Sequence, residues 1–391
     1  MSLSTLPLSY CTNVHPGLTV DEVIDGLTRF TAPTQQQLGT SIAAGLWLAA
    51  PVISQVRQNP GELSKLATAL RELGLVCYTL NAFPYGDFHS ERVKEQVYIP
   101  DWTTEERLNY SVDCAAVLAE LLPDGTEGSI STVPLGFKDL ATASDFIPKC
   151  IDRLLALAVA LDDLHDDTGR VIRLAIEPEP LCVLETTSET LAFFRQLYEV
   201  AEKRGLLDVA QRHLGVCYDV CHQAVEFEVV PASIQSLQDA GIRINKLHIT
   251  CAIHIPQPAE NVAAREYLAA FVEPRYLHQT FAHTSEGGIV SLTDLTRELC
   301  LNPSGEFATA EAWRVHYHVP VNAEQVGPLH TTRPEMRQAL QAVAQLDYAP
   351  HLEVETYTWG VLPDGEKPNL VDGLTGELRA TLDELARCNG E

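Results

Sequence analysis

Four apolar runs in this chain end on side chains that can bind metals or move protons. They are RLAIEPEP with Glu177 and Glu179, LGVCYDVCHQ with Asp219 and His222, INKLHIT with His248, and HLEVETYTW with Glu353 and Glu355. A carboxylate set into an apolar strand loses several kcal/mol of hydration unless it is paired or bound to a cation. Four such groups in successive strands call for a common compensating charge, and either Glu353 or Glu355 can supply the last carboxylate.

Other polar residues fall where strands give way to loops. Asn13 and His15 close the first apolar run and are candidates for lining a pocket. The long stretch NAFPYGDFHSERVKEQVYIPDW holds Asn81, Phe83, Tyr85, Phe88, His89, Lys94 and Trp102, an aromatic loop suited to cover a substrate. In VHYHVP, His316 and His318 point to one face if the segment is extended. His254, His278 and His283 are weaker candidates. The acidic run from Asp162 to Asp167 reads as a solvated helix end, and Cys217 and Cys221 read as packing residues.

The elements that must position these groups alternate. Short β-branched or apolar runs are separated by amphipathic stretches in units of roughly 30 to 50 residues, the signature of βα repeats. Strand ends are expected near His15, Trp47, Asn81, Leu135, Glu177, Asp219, His248 and Glu355. PGELSKLATALRELG spaces Leu63, Leu66, Leu70 and Leu73 as one buried helical stripe, opened by Pro60 and stopped at Gly74. Thr19 with Glu22, and Thr103 with Glu106, match a capping box, and SETLAFFRQLYEVAEKRG is a further helix. Eight units and no glycine-rich nucleotide loop predict a (β/α)8 TIM barrel, one domain over 1–391. The strand-like runs between 251 and 330 exceed eight and are assigned to an insertion or strand extension near the C-terminal mouth of the barrel.

The order Glu, Asp-x-x-His, His, Glu at the ends of the fifth to eighth strands resembles the xylose isomerase-like barrel superfamily, which includes sugar phosphate isomerases and epimerases, ketose epimerases and endonuclease IV. That resemblance implies one divalent ion held by Glu177, Asp219, His248 and Glu355. IEPEP resembles the IEPKP of large xylose isomerases, with Glu179 in place of the lysine, so direct aldose isomerisation by that route is not expected. DVCH, which resembles the D-x-C-H of the superfamily, implies that His222 supports a metal ligand, contacts substrate or binds a second metal, and VETYT, like the L-E-T of endonuclease IV, favours Glu355 over Glu353. SYCTNVHPG, LNAFPYGDFH, VHYHVP and VETYTWGVLP further resemble a bacterial family linked to metabolite traffic within the same superfamily.

A ligand set of three carboxylates and one imidazole suits Mn, Mg, Co or Zn. With such an ion, Glu177 and Glu355 are the expected proton-transfer pair, and Asn13, His15, Asn81, Trp102, Glu179, His222, His316 and His318 the expected substrate contacts. The expected function is isomerisation or epimerisation of a small sugar-like or cyclitol-like carbonyl compound. The alternatives are metal-dependent hydrolysis and non-catalytic metabolite binding.

Charge narrows the partners. The 391 residues carry 53 acidic and 27 basic side chains, a net charge of −26, which disfavours nucleic acid and anionic membranes as partners. No apolar run is long enough to span a bilayer and the first residues lack a signal-peptide pattern, so a cytoplasmic protein is expected. The ten cysteines, without a C-x-x-C pair, suit buried thiols in a reducing compartment.

Overall fold

The computed structural model describes residues 3–363 and 369–389. Its short apolar runs are strands: β1 (Ser9–Cys11), β2 (Ala43–Trp47), β3 (Thr79–Asn81), β4 (Gly128–Thr132), β5 (Ile172–Ile176), β6 (Leu214–Asp219) and β7 (Ile244–Ile249). Six more follow before the barrel resumes: β8 (Ile253–Pro256), β9 (Thr280–His283), β10 (Ile289–Leu292), β11 (Ala312–Val315), β12 (Gln325–Val326) and β13 (Leu329–Thr331). The last is β14 (His351–Val354). Strands β1 to β7 and β14 close a parallel barrel with neighbours in the order β1-β14-β7-β6-β5-β4-β3-β2. Helices connect them and cover the outside, so both faces of the strands are buried, polar side chains such as Thr79, Ser129 and Ser131 included.

Local signals act where the chemistry requires. The helix Pro60–Glu72 buries Leu66 and Leu70 and leaves Leu63 and Leu73 half-buried. Thr19 caps its helix by accepting from the Glu22 amide, and Thr186 with Glu189 completes a capping box at Thr187–Lys203. At Glu105–Leu121 the cap is Thr104 rather than Thr103, because Asp101 takes the Thr103 hydroxyl and amide and leaves Thr104 to accept from Arg107. Two strands end earlier than the sequence suggests. β1 stops at Cys11 and turns through a 3-10 segment, Thr12–Val14, and β4 stops at Thr132, with Leu135 held at φ +69°.

Register places the site. Glu353 on β14 and Asp219 on β6 both pair with His248 on β7, so the three stand in one row around the barrel. Side chains alternate along a strand, so Lys246 and His248 share a face, as do Glu353 and Glu355. Gly45 on β2 makes room for this row: a Cβ there would lie 1.5 Å from Glu353 Oε2.

The segment between β7 and β14 forms a second sheet of six strands, ordered β10-β9-β11-β8-β13-β12, with antiparallel pairing throughout. It is tied to the barrel by Val319 N to Cys251 O at 2.9 Å and Thr332 N to Ala252 O at 3.0 Å. The chain leaving β11 carries His316 and His318 toward the barrel mouth. Nine of the ten cysteines are buried and all are free thiols. Among the described residues no helix is long and apolar enough to cross a membrane.

Candidate metal centre and substrate cavity

His248 is the hub. Its Nδ1 lies 3.0 Å from Glu177 Oε1, 3.2 Å from Glu355 Oε2 and 3.5 Å from Asp219 Oδ2, and all four side chains are buried. One atom from each of Glu177, Asp219, His248 and Glu355 falls within 4.8 Å of the others. Glu177 Oε2 and Asp219 Oδ2 have no hydrogen-bond partner among the described residues. Buried carboxylate oxygens without donors are costly, and a divalent cation among them removes that cost. The donor set fits such an ion: three oxygens and one imidazole nitrogen.

The other side of each ligand is held. His248 Nε2 faces Glu353 Oε1 at 3.2 Å, which leaves the Nδ1 lone pair toward the carboxylates. Glu353 is fully buried beside Lys246 Nζ at 2.6 Å and accepts from Ser9 Oγ at 2.8 Å. Glu355 Oε1 accepts from Asn13 and Asn81, each at 2.8 Å, which turns Oε2 to the centre. Asp219 Oδ1 accepts from Thr250 Oγ1 at 2.6 Å and from the His222 amide at 3.1 Å.

Burial raises every acid here, and the neighbours decide whether the net shift is up or down. It pushes Glu177 up to about 7 and Glu179 up to about 8. Burial also works against ionisation of Asp219, yet His222, His318 and His248 hold its carboxyl far below the usual range. At Glu353 burial is overcome by Lys246 and His248, and the carboxyl falls to about 2.

A second group of imidazoles lies against the first. His222 Nδ1 donates to Pro178 O at 2.9 Å, His316 Nδ1 to Gln279 Oε1 at 2.6 Å and His318 Nδ1 to Glu355 O at 2.9 Å. Carbonyl oxygens only accept, so each neutral ring presents a bare Nε2 lone pair. The Nε2 atoms of His316 and His318 face each other at 3.3 Å, and those of His222 and His318 each lie 4.0 Å from Asp219 Oδ2. Burial lowers the basicity of His222, to about 4, and also lowers that of His316.

Asn13, Asn81, Glu177, Glu179, His222, His316, His318 and Glu355 line one cavity at the barrel mouth. From the loop after β3 it also takes Phe83, Phe88 and Lys94. Two expected substrate contacts lie elsewhere. Because β1 ends early, His15 turns away, accepting or donating at Tyr10 Oη (2.7 Å) and stacking on Phe30 with centroids 4.7 Å apart. Trp102 is fully buried in the core with its indole N–H on Thr132 Oγ1 at 3.2 Å. His278 pairs with Glu273, and His283 with Glu311. His254 lies beside Arg314, and none of the three lines the cavity. The acidic run lies in the helix Phe146–Thr168, where Asp162 pairs with Arg212.

Several contributors carry no motif. Tyr98 donates to Glu179 Oε1 at 2.7 Å, and Gln279 joins Tyr98, Glu179 and His316. Lys246 was legible only by parity, two residues before His248 on a strand whose alternate side chains enter the barrel.

Over nearly its whole length the chain has the fold of known xylose isomerase-like barrels. It is similar to L-ribulose 3-epimerase, with 12% identity over 99% of this chain and 96% of that one and a TM-score of 0.51. It is also similar to a xylose isomerase-like TIM barrel protein from Mycobacterium smegmatis in complex with magnesium, with 13% identity over 98% of this chain and 100% of that one and a TM-score of 0.51. Identities this low speak for the fold alone. No family model and no curated protein sequence matches the chain.

Proposed function

We propose that the chain is a divalent-metal-dependent isomerase or epimerase of a small sugar-like or cyclitol-like carbonyl compound. One observation carries the reading: three buried carboxylates converge on one imidazole nitrogen, two of them with oxygens that have no donor. Glu177, Asp219, His248 and Glu355 would hold one ion of Mn, Mg, Co or Zn. When bound, such an ion polarises a carbonyl and its neighbouring hydroxyl. Glu177 would remove the proton α to the carbonyl, and Glu355, oriented by Asn13 and Asn81, would return one from the other side. Glu179, His222, His316 and His318 would contact the substrate hydroxyls.

Hydrogen exchange tests this. In deuterated water the metal-loaded protein should exchange the α hydrogen of its substrate, found by screening ketoses, aldoses and cyclitols. Glu177→Gln and Glu355→Gln, with metal retained, should each slow exchange by roughly two to four orders of magnitude. Exchange that survives in both variants would refute the assignment.

A second reading rests on the bare Nε2 atoms of His222, His316 and His318 beside Asp219 Oδ2. With a second ion there, metal-activated water would make the chain a hydrolase of the endonuclease IV-like type, acting on small molecules in view of its charge. Metal analysis separates the two: one ion per chain supports the isomerase reading, and two with His318→Gln losing one support hydrolysis. The motifs SYCTNVHPG, LNAFPYGDFH, VHYHVP and VETYTWGVLP resemble the metabolite traffic protein EboE, which supports a place in a secondary-metabolite pathway. A non-catalytic carrier would bind its metabolite without exchanging hydrogen.

A further inference from the structure

The floor and the wall of the cavity ask for different chemistry. The floor is made of carboxylates, amides and imidazoles. The wall is mostly carbon and includes Phe83, Phe88, Val97 and Leu277. What polar atoms its side chains carry are mostly taken, the hydroxyl of Tyr357, which packs on Phe88 and Tyr276, being the exception. The Tyr98 hydroxyl donates to Glu179 Oε1 at 2.7 Å and that of Tyr276 to Phe88 O at 3.2 Å. Lys94 spends its three N–H groups on Glu273 O, Tyr276 O and Asp294 Oδ2, at 3.2, 2.5 and 2.7 Å. Among the described residues Lys94 is the one lysine or arginine lining the cavity, so a phosphate against this wall would meet no free cation and would face the acidic floor.

The wall is built jointly by two segments. The Val93 and Lys94 amides both donate to Arg275 O at 2.8 Å, which joins the loop after β3 to the chain that leads into β9. A polyol lying there would give up hydrogen bonds to water and find few in return, whereas an apolar group would gain by the transfer.

We propose that the substrate is amphipathic: an α-hydroxycarbonyl head of sugar or cyclitol type at the floor, carrying an uncharged apolar or aromatic substituent that lies against Phe88, Val97 and Leu277. This rests on the reading above that the floor holds a metal-bound carbonyl head. It separates the substrate from free sugars, whose hydroxyls the wall does not serve, and from sugar phosphates.

The test holds the chelating end constant and varies the other. The full-length, metal-loaded protein is titrated by calorimetry with D-fructose, 6-O-benzyl-D-fructose and D-fructose 6-phosphate. Burying the aromatic ring predicts binding of the benzyl ether tighter than that of fructose by about tenfold or more, with the phosphate no tighter than fructose. Leu277→Asn should reduce the benzyl advantage, read as the ratio of the benzyl ether and fructose affinities, and the nearly isosteric Val97→Thr makes the same test with less risk to folding. A benzyl ether no tighter than fructose, tightest binding of the phosphate, or no binding of any of the three to protein that holds its ion overturns the inference while the metal site stands. Protein that takes up no ion overturns the metal reading, and the inference falls with it.

Discussion

Glu353 and Glu355 are two residues apart, on the same face of the chain, and have different surroundings. Glu355 reaches the mouth, where two amides turn one oxygen toward the centre. Glu353 stays one layer deeper, between Lys246 and the far nitrogen of His248. Glu353→Gln should therefore act twice. Loss of the partner leaves Lys246 charged and buried, at a cost of about 3–5 kcal/mol in urea unfolding. Loss of the acceptor on His248 should weaken metal binding by about 10- to 100-fold in a metal titration. Unchanged affinity in a folded variant would show that His248 is oriented without it. The sequence showed two acids on one strand and left their order of depth open, because depth depends on the register against β7.

At the scale of elements, the helix Leu370–Asn389 is pinned to the barrel mouth by one buried acid. Glu377 accepts from Thr356 Oγ1 at 2.6 Å, from Val321 N at 3.1 Å and from Trp359 Nε1 at 3.0 Å. Burial nevertheless outweighs these donors and pushes its carboxyl up to about 7. The folded state then binds more protons than the unfolded one between the usual carboxylate range and neutrality, so the contribution of Glu377 is fully present below about 4.5 and is lost as pH rises through about 7. Unfolding of metal-free protein at pH 5.5 and 8 should show this decline together with those of Glu177 and Glu179, and Glu377→Gln should make the total decline smaller by roughly 2–4 kcal/mol. Equal slopes in the two proteins would count against the assignment. Trp102 belongs to the same scale. Trp102→Phe removes one buried hydrogen bond to Thr132 and should cost about 1–3 kcal/mol while leaving metal and ligand affinity intact. An altered ligand affinity would return Trp102 to the site.

For the whole molecule, binding of an ion by the folded state and not the unfolded one must raise stability. At a free metal concentration 100 times Kd the gain is about 2.7 kcal/mol, visible as a rise in Tm that a chelator reverses. Asp219→Asn should lose most of that rise, and a variant that keeps it would place the ion elsewhere. The same molecule, with its net charge of −26, should leave duplex DNA unbound at about 0.15 M salt in a mobility-shift assay.

The amino-acid sequence by itself determined the alternation of strands and helices, and with it the closed barrel, because apolar period and cap residues act over a few neighbours. It also determined that Glu177, Asp219, His248 and a β14 acid stand at strand ends, since a charge closing an apolar run is a local feature. The tertiary structure decided the rest. It turned His15 away because β1 ends a few residues early and side-chain direction follows the exact end, and it packed Trp102 into the core, where its indole N–H meets Thr132. It carried His316 and His318 from a second sheet to the barrel mouth, and it brought Tyr98 and Gln279 to Glu179, 81 and 100 residues away along the chain. Contacts at such separations are fixed by packing of whole elements, for which a local pattern carries no signal.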